Sequence, residues 1–285
     1  MLNEKKIFLF FTVIFMAFTL YAQSEADFRI EVSRDGSGAV ILGYTGNATV
    51  VHIPAAIQGV PVIEIGQGAF RNLPVTNVII PDGVRIIRAN AFSGCNALTF
   101  IHIPDSVTSI GIGVFNNCSS LASINIPNGV VTIGSDAFRD CSSLISITIP
   151  DSVTSIGSRA FFGCSSLSSV TFGKGMTSIG ESVFSQCSSL KNIVIPEGIN
   201  TIGFYAFAGC TALTSVTLPS TIRIIRSGAF HNCSSLTTVT IPNTVRSISF
   251  DSTPFDVFIG CINLTSASQS LLRRLGYTGS FQANP

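Results

Sequence analysis

Residues 141–163 read CSSLISITIPDSVTSIGSRAFFG, and variants of this 23-residue text fill most of a 285-residue chain. Cysteine returns at Cys95, Cys118, Cys141, Cys164, Cys187, Cys210 and Cys233, each 23 residues after the last, and Cys261 follows after 28. Leu98, Leu121, Leu144, Leu167, Leu190, Leu213 and Leu236 keep the same step, as do Phe92, Phe115, Phe138, Phe161, Phe184, Phe207 and Phe230. An Ile-Pro pair marks the same slot at Ile103, Ile126, Ile149, Ile195 and Ile241. Leu218-Pro219 is a conservative variant, and Phe172-Gly173 breaks the slot. Several independent positions sharing one register identify a repeat architecture.

Each slot has a physical reading. L-x-x-I-x-I puts branched residues at alternate positions, the pattern of a short half-buried strand. The following Pro lacks the N–H that a ladder needs and ends the strand. V-x-S-I-G forms a second extended piece. Its glycines (Gly111, Gly134, Gly157, Gly180, Gly203) are expected to turn a tight corner with positive φ, although Arg88 and Arg226 stand in that slot. The A-F-x-x-C stretch is too short for a full helix and predicts a turn or one helical turn with Phe inward. The apolar slots of one coil do not offset the entropy of ordering it, so the coils must stack.

The ends differ from the middle. Residues 1–24 carry Lys5 and Lys6, an apolar run from Ile7 to Tyr21, and small residues at Ala22 and Ser24, the pattern of a cleaved secretory signal peptide. An uncleaved anchor is the other reading of this run, which is short for a bilayer. Residues 25–62 carry turn pairs at Asp35-Gly36 and Thr45-Gly46 between short alternating runs, and read as an N-terminal β cap. The repeats occupy 63–264. In 265–285, Leu271, Leu272 and Leu275 share one face of a segment from Ser268 to Leu275 that Gly276 stops, read either as a closing helix or as a frayed polar tail.

Composition narrows the function. Charged residues make up 11%, against about 25% in ordinary domains. With 16 Lys+Arg against 15 Asp+Glu there is no basic footprint for nucleic acid. No stretch after the leader is long and apolar enough to span a membrane. Ser, His and acid do not recur in any triad context, so catalysis is not expected. No cofactor is implied, and no Cys has a second Cys or His at ligand spacing, so no metal is either.

The unit containing L-x-S-I-x-I-P, V-x-S-I-G and A-F-x-x-C-x-S-L resembles the BspA-like bacterial surface-antigen leucine-rich repeats, from about Ile53 to Leu264. Gly276-Tyr277-Thr278-Gly279 with Phe281 resembles the family's C-terminal caps. The resemblance implies a β-rich leucine-rich repeat solenoid of 23-residue coils, with short parallel strands and turn or short helical segments, capped at both ends. It also implies export and an association with adhesion to host matrix proteins or other cells.

Two features bear on sites. The eight cysteines occupy one slot between core Phe and Leu and read as buried thiols, while neighbouring rungs also fall inside the Cα spacing of a disulfide. The outward positions of the first strand form the candidate partner-binding face: Asn77, Ile79, Phe100, His102, Asn125, Thr148, Thr171, Asn192, Thr217 and Thr240. Most of it reads as a plain Ser/Thr ladder. Ile79, Phe100 and His102 stand apart at one end, either as an interaction cluster or as a contact with the N-terminal cap. The sequence thus points to an exported, non-enzymatic protein, secreted or held at the cell surface. Through this face it would bind a protein or glycan, with host extracellular matrix among the candidates. The alternative is an envelope-associated structural protein that self-associates.

Overall fold

A computed structural model describes residues 23–245, 248–250 and 257–282. The leader, apart from its last two residues, and most of the insertion at 250–254 lie outside the described residues. The chain winds into a β-solenoid of about nine coils. Each regular coil contributes three backbone segments, and each segment stacks on its counterpart in the next coil.

The first segment is the L-x-x-I-x-I strand, which pairs in parallel with its neighbours at one-to-one register, for example Asn77 with Phe100 and Ile79 with His102. The second is the two-residue strand of V-x-S-I, such as Ser109–Ile110 on Thr132–Ile133. The third is the A-F-x-x-C turn. It is not strand, yet it carries the most continuous hydrogen bonding in the molecule. Asn90, Phe92 and Gly94 donate to the carbonyls of Ile112, Val114 and Asn116 at 2.8–2.9 Å, and the Phe N–H repeats this bond from Phe70 through Phe230.

Two columns of left-handed residues shape that turn. One runs Asn90, Gly113, Asp136, Arg159, Ser182, Tyr205 and Gly228; the other, four residues on, runs Gly94, Asn117, Asp140, Gly163, Gln186, Gly209 and Asn232. The positive φ expected at the V-x-S-I-G glycines is therefore found elsewhere. Four of those glycines, Gly111, Gly134, Gly157 and Gly203, are required for close approach, while Gly180 has room. A Cβ at Gly134 would stand 2.5 Å from the Gly111 carbonyl carbon, and one at Gly203 2.7 Å from that of Gly180. At the Arg88 position the side chain instead turns out to meet Glu64 in a two-pronged ion pair.

The core is a set of one-residue columns. Rings from Phe70 through Phe258 stack at centroid distances of 4.9–5.7 Å with planes within 20° of parallel. Beside them all eight cysteines are buried free thiols. Each Sγ donates to the carbonyl of a Phe in the preceding coil, as Cys118 does to Phe92 at 3.2 Å and Cys141 to Phe115 at 3.1 Å. That carbonyl already accepts a backbone N–H within its own coil, so the thiol fills its second lone pair. Alanine or valine would fill the volume without this bond.

The caps continue the ring column. At the N-terminus β1 (Phe28–Val32) and β2 (Ala39–Tyr44) form an antiparallel pair, and β2 joins Val60–Ile65 in parallel. Tyr44 stacks on Phe70 at 5.6 Å, and Phe28 packs against Tyr44 at 5.3 Å with its ring tilted by 47°. At the other end α1 (Ser266–Arg274) starts two residues before the expected Ser268, because the Thr265 hydroxyl caps it by accepting from the Ser268 N–H. Tyr277 and Phe281 then close the column against Phe258.

Candidate functional site

The position after the conserved Leu decides whether neighbouring first strands pair. Ahead of the C-terminal cap, where it is Ser or Thr, the hydroxyl donates to the carbonyl of the same position one coil back: Thr76 to Thr49, Thr99 to Thr76, Ser168 to Ile145, Thr214 to Lys191 and Thr237 to Thr214, at 3.0–3.2 Å. All five of those junctions carry a strand ladder. Ala122, Ile145 and Lys191 fill the other three slots and have no hydroxyl to give. At those three junctions the ladder stops, so the face consists of separate sheets rather than one.

Ala122 and Ile145 are consecutive, and between them the segment Ser123–Asn125 is left out of both neighbouring sheets. Its coil also has Gly129 where Ser106 and Ser152 place a second hydroxyl staple, to the carbonyls of Val84 and Val130 at 2.7 Å. Among the described residues, Ser123, Ile124 and Asn125 make no backbone hydrogen bond to a neighbouring coil. Ile124 is half-buried where its counterparts Ile101 and Ile147 are buried.

The result is a groove of about 500 Å³, walled by Phe100 and His102 on one side and Ser146 and Thr148 on the other, with Ile101, Ile103 and Ile124 beneath. Phe100 is 44% exposed, so its ring is not covered by the N-terminal cap. The structure extends this end of the face beyond the expected residues. Val50–His52 forms its first strand, with Val50 beside Asn77 and His52 beside Ile79, giving a His52, Ile79, His102 row. Partial burial depresses the His52 pKa and favours its neutral form. The signal for this strand lies in Ile53-Pro54, which follows Val50–His52 as Ile80-Pro81 follows Asn77–Ile79.

Of the other candidate residues, Asn77 and Ile79 are half-buried within the first sheet, while Asn125 and Thr148 line the groove. Thr171, Asn192, Thr217 and Thr240 are exposed farther along, and Asn192 is engaged by Thr214 and Ser215 at 2.8–3.0 Å. The expected list therefore divides: Phe100, His102, Asn125 and Thr148 meet at one groove, and the rest do not. The outward positions from Asn77 to Thr240 carry no carboxylate, Lys or Arg, and Lys191 is the one charge in the adjoining slot. Among the described residues no three His, Cys, Asp or Glu gather as a metal site, and no helix is long and apolar enough to cross a membrane.

The chain matches the BspA type leucine rich repeat region in 6 copies, over residues 63–191 and 131–265. It is similar to the crystal structure of a leucine-rich repeat protein from Bacteroides ovatus, at 26% identity and a TM-score of 0.55, covering 87% of this chain and 82% of that one. A leucine-rich repeat protein from Eubacterium ventriosum aligns at 27% identity and a TM-score of 0.53, over 68% of this chain and 61% of that one. The Treponema pallidum leucine-rich repeat protein is 27% identical over 93% of this chain and all of its own, at a TM-score of 0.48. No curated protein matches the chain. The repeat spacing, the stacked coils and a family match over more than half the residues agree: this chain belongs to the BspA-type leucine-rich repeat family.

Proposed function

We propose that the protein is an exported, non-enzymatic adhesion module that holds a protein partner in the groove between Phe100–His102 and Ser146–Thr148. The observation that carries this reading is the segment Ser123–Asn125, whose backbone donors and acceptors are left out of the ladder beside an exposed aromatic ring. A partner polypeptide lying across the groove can hydrogen-bond to such groups and gains apolar contact from Phe100 and Ile124. The face is neutral, so affinity rests on hydrogen bonding and shape and changes little with salt. Host extracellular matrix proteins are the first partners to try.

The test is binding of the purified protein to immobilised matrix proteins and to host cells, beside a folded Phe100→Ser/His102→Thr variant. Saturable binding that the double variant loses supports the reading. Absence of binding, or binding that the variant keeps, removes it. One observation favours self-association instead: among the described residues β1 pairs on one side only and stands at the end of its sheet, with Val32 exposed. Such an edge can accept a second chain, and concentration-dependent sedimentation abolished by Val32→Lys would support it.

A further inference from the structure

The two left-handed columns of the turn face are filled mostly by Gly, Asn and Asp, the residues that tolerate positive φ. Four positions break this habit: Arg159 (φ 59°), Ser182 (54°), Gln186 (62°) and Tyr205 (54°). They lie in three successive coils, and all four line one groove of about 390 Å³, a volume suited to a small ligand. Backbone strain held at one place marks a site maintained for something other than stability.

The rest of the groove agrees. The Tyr205 ring is 43% exposed and lies across Gly228, where a Cβ would collide with it. Gln186 lies in the same way across Gly209, whose Cβ would stand 2.6 Å from the amide nitrogen. The glycine of each following coil leaves room for these side chains, as glycines do elsewhere along the two columns. His231 lines the far end, and among the described residues its buried Nδ1 has no hydrogen-bond partner. That atom needs a partner from outside the described residues.

We propose that this groove binds a neutral saccharide. A flat, half-exposed aromatic ring offers a platform for the C–H face of a sugar. Around it the guanidinium groups donate, and the amide, hydroxyl and imidazole groups both donate and accept, as sugar hydroxyls do. An anionic ligand fits less well, because the cations are already matched: Arg159 by Glu181 at 3.9 Å, and Arg139 by Asp136 and Asp140 at 3.5 and 3.2 Å. This site goes beyond the strand-face reading and shares no residue with it, so either can fail alone.

The experiment titrates the purified protein with maltohexaose, cellohexaose and N-acetylglucosamine hexamer, and with an oligogalacturonate as the acidic arm, by saturation-transfer NMR and calorimetry. The expected result is binding of at least one neutral oligosaccharide, weakened about tenfold or more by Tyr205→Asn. The same substitution should hold or raise Tm, since Asn accepts the left-handed backbone. The proposal is overturned by no neutral binding at millimolar concentration, by acidic binding alone, or by affinity unchanged in the variant. A clear fall in Tm for Tyr205→Asn also overturns it, because the ring would then be kept for packing.

Discussion

The Thr99 hydroxyl donates to the Thr76 carbonyl of the preceding coil at 3.1 Å, and one coil later Ala122 has nothing to donate to Thr99. That difference of one oxygen separates a paired strand from an open one. Restoring it should close the groove. In the double variant Ala122→Thr/Ile145→Thr, two new hydroxyl bonds at exposed positions should add about 0.5–1.5 kcal/mol each. Tm should rise while partner binding at Phe100 falls. Higher Tm with unchanged binding would separate the groove from the adhesive function. Unchanged Tm would mean the hydroxyl does not govern strand pairing.

The thiols predict a pH effect of definite sign. Burial pushes Cys95, Cys164 and Cys210 up to about 12, and Cys141, Cys187 and Cys233 well above their ordinary value. In the unfolded chain a thiol titrates at about 8.5. The unfolded state therefore releases protons first as pH rises, so the stabilisation is complete below about pH 8.5 and is lost from there toward pH 12. Tm should be flat from pH 7 to 8 and fall steeply above pH 9. In the native state the cysteines should resist alkylation at pH 8 and react once guanidinium unfolds the chain. Rapid native labelling would contradict the burial of the column.

The period of 23 made the Phe, Cys, Leu and Ile columns legible before any coordinate, because each occupies one slot with one chemistry. The groove was not legible for the same reason. Ala122, Ile145 and Lys191 sit in a slot whose occupants vary and which reads as filler until its hydroxyl is seen to bridge coils. The turn ladder is silent in the sequence because hydrogen bonds between turns leave no hydrophobic period. The sequence suggests positive φ at Gly134 and its column since glycine permits it, whereas Arg159 and Tyr205 hold that conformation without glycine's signature.

Glycines of the V-x-S-I-G slot should therefore fail unequally when given a methyl group. At Gly134 the new Cβ would meet the Gly111 backbone at 2.5 Å, and backbone cannot step aside as a side chain can. Gly134→Ala should cost about 1–3 kcal/mol, the range for overpacking. At Gly180 the nearest atom is the Ile156 carbonyl oxygen at 3.4 Å, because the ladder of second strands is interrupted between Ser155–Ile156 and Ser178–Ile179. Gly180→Ala should be nearly neutral. Equal losses in denaturant melts would show that the slot is selected for conformation after all.

Hydrogen exchange should rank the three segments of each coil in an order that strand assignment alone inverts. The Phe amides from Phe92 to Phe230 belong to a ladder with no interruption, lie beside a stacked ring column, and are buried. Opening one of them requires parting two coils across the core, so their exchange should approach the rate set by global unfolding. Ser123, Ile124 and Asn125 lie in a segment that aligns with strands on both sides yet bonds to neither, and should exchange at the rate of a loop. Added partner should slow exchange at Ser123–Asn125 and leave the Phe amides unchanged. If Phe115 and Phe138 instead exchange faster than Ile147, the strand face carries the solenoid and the turn ladder does not.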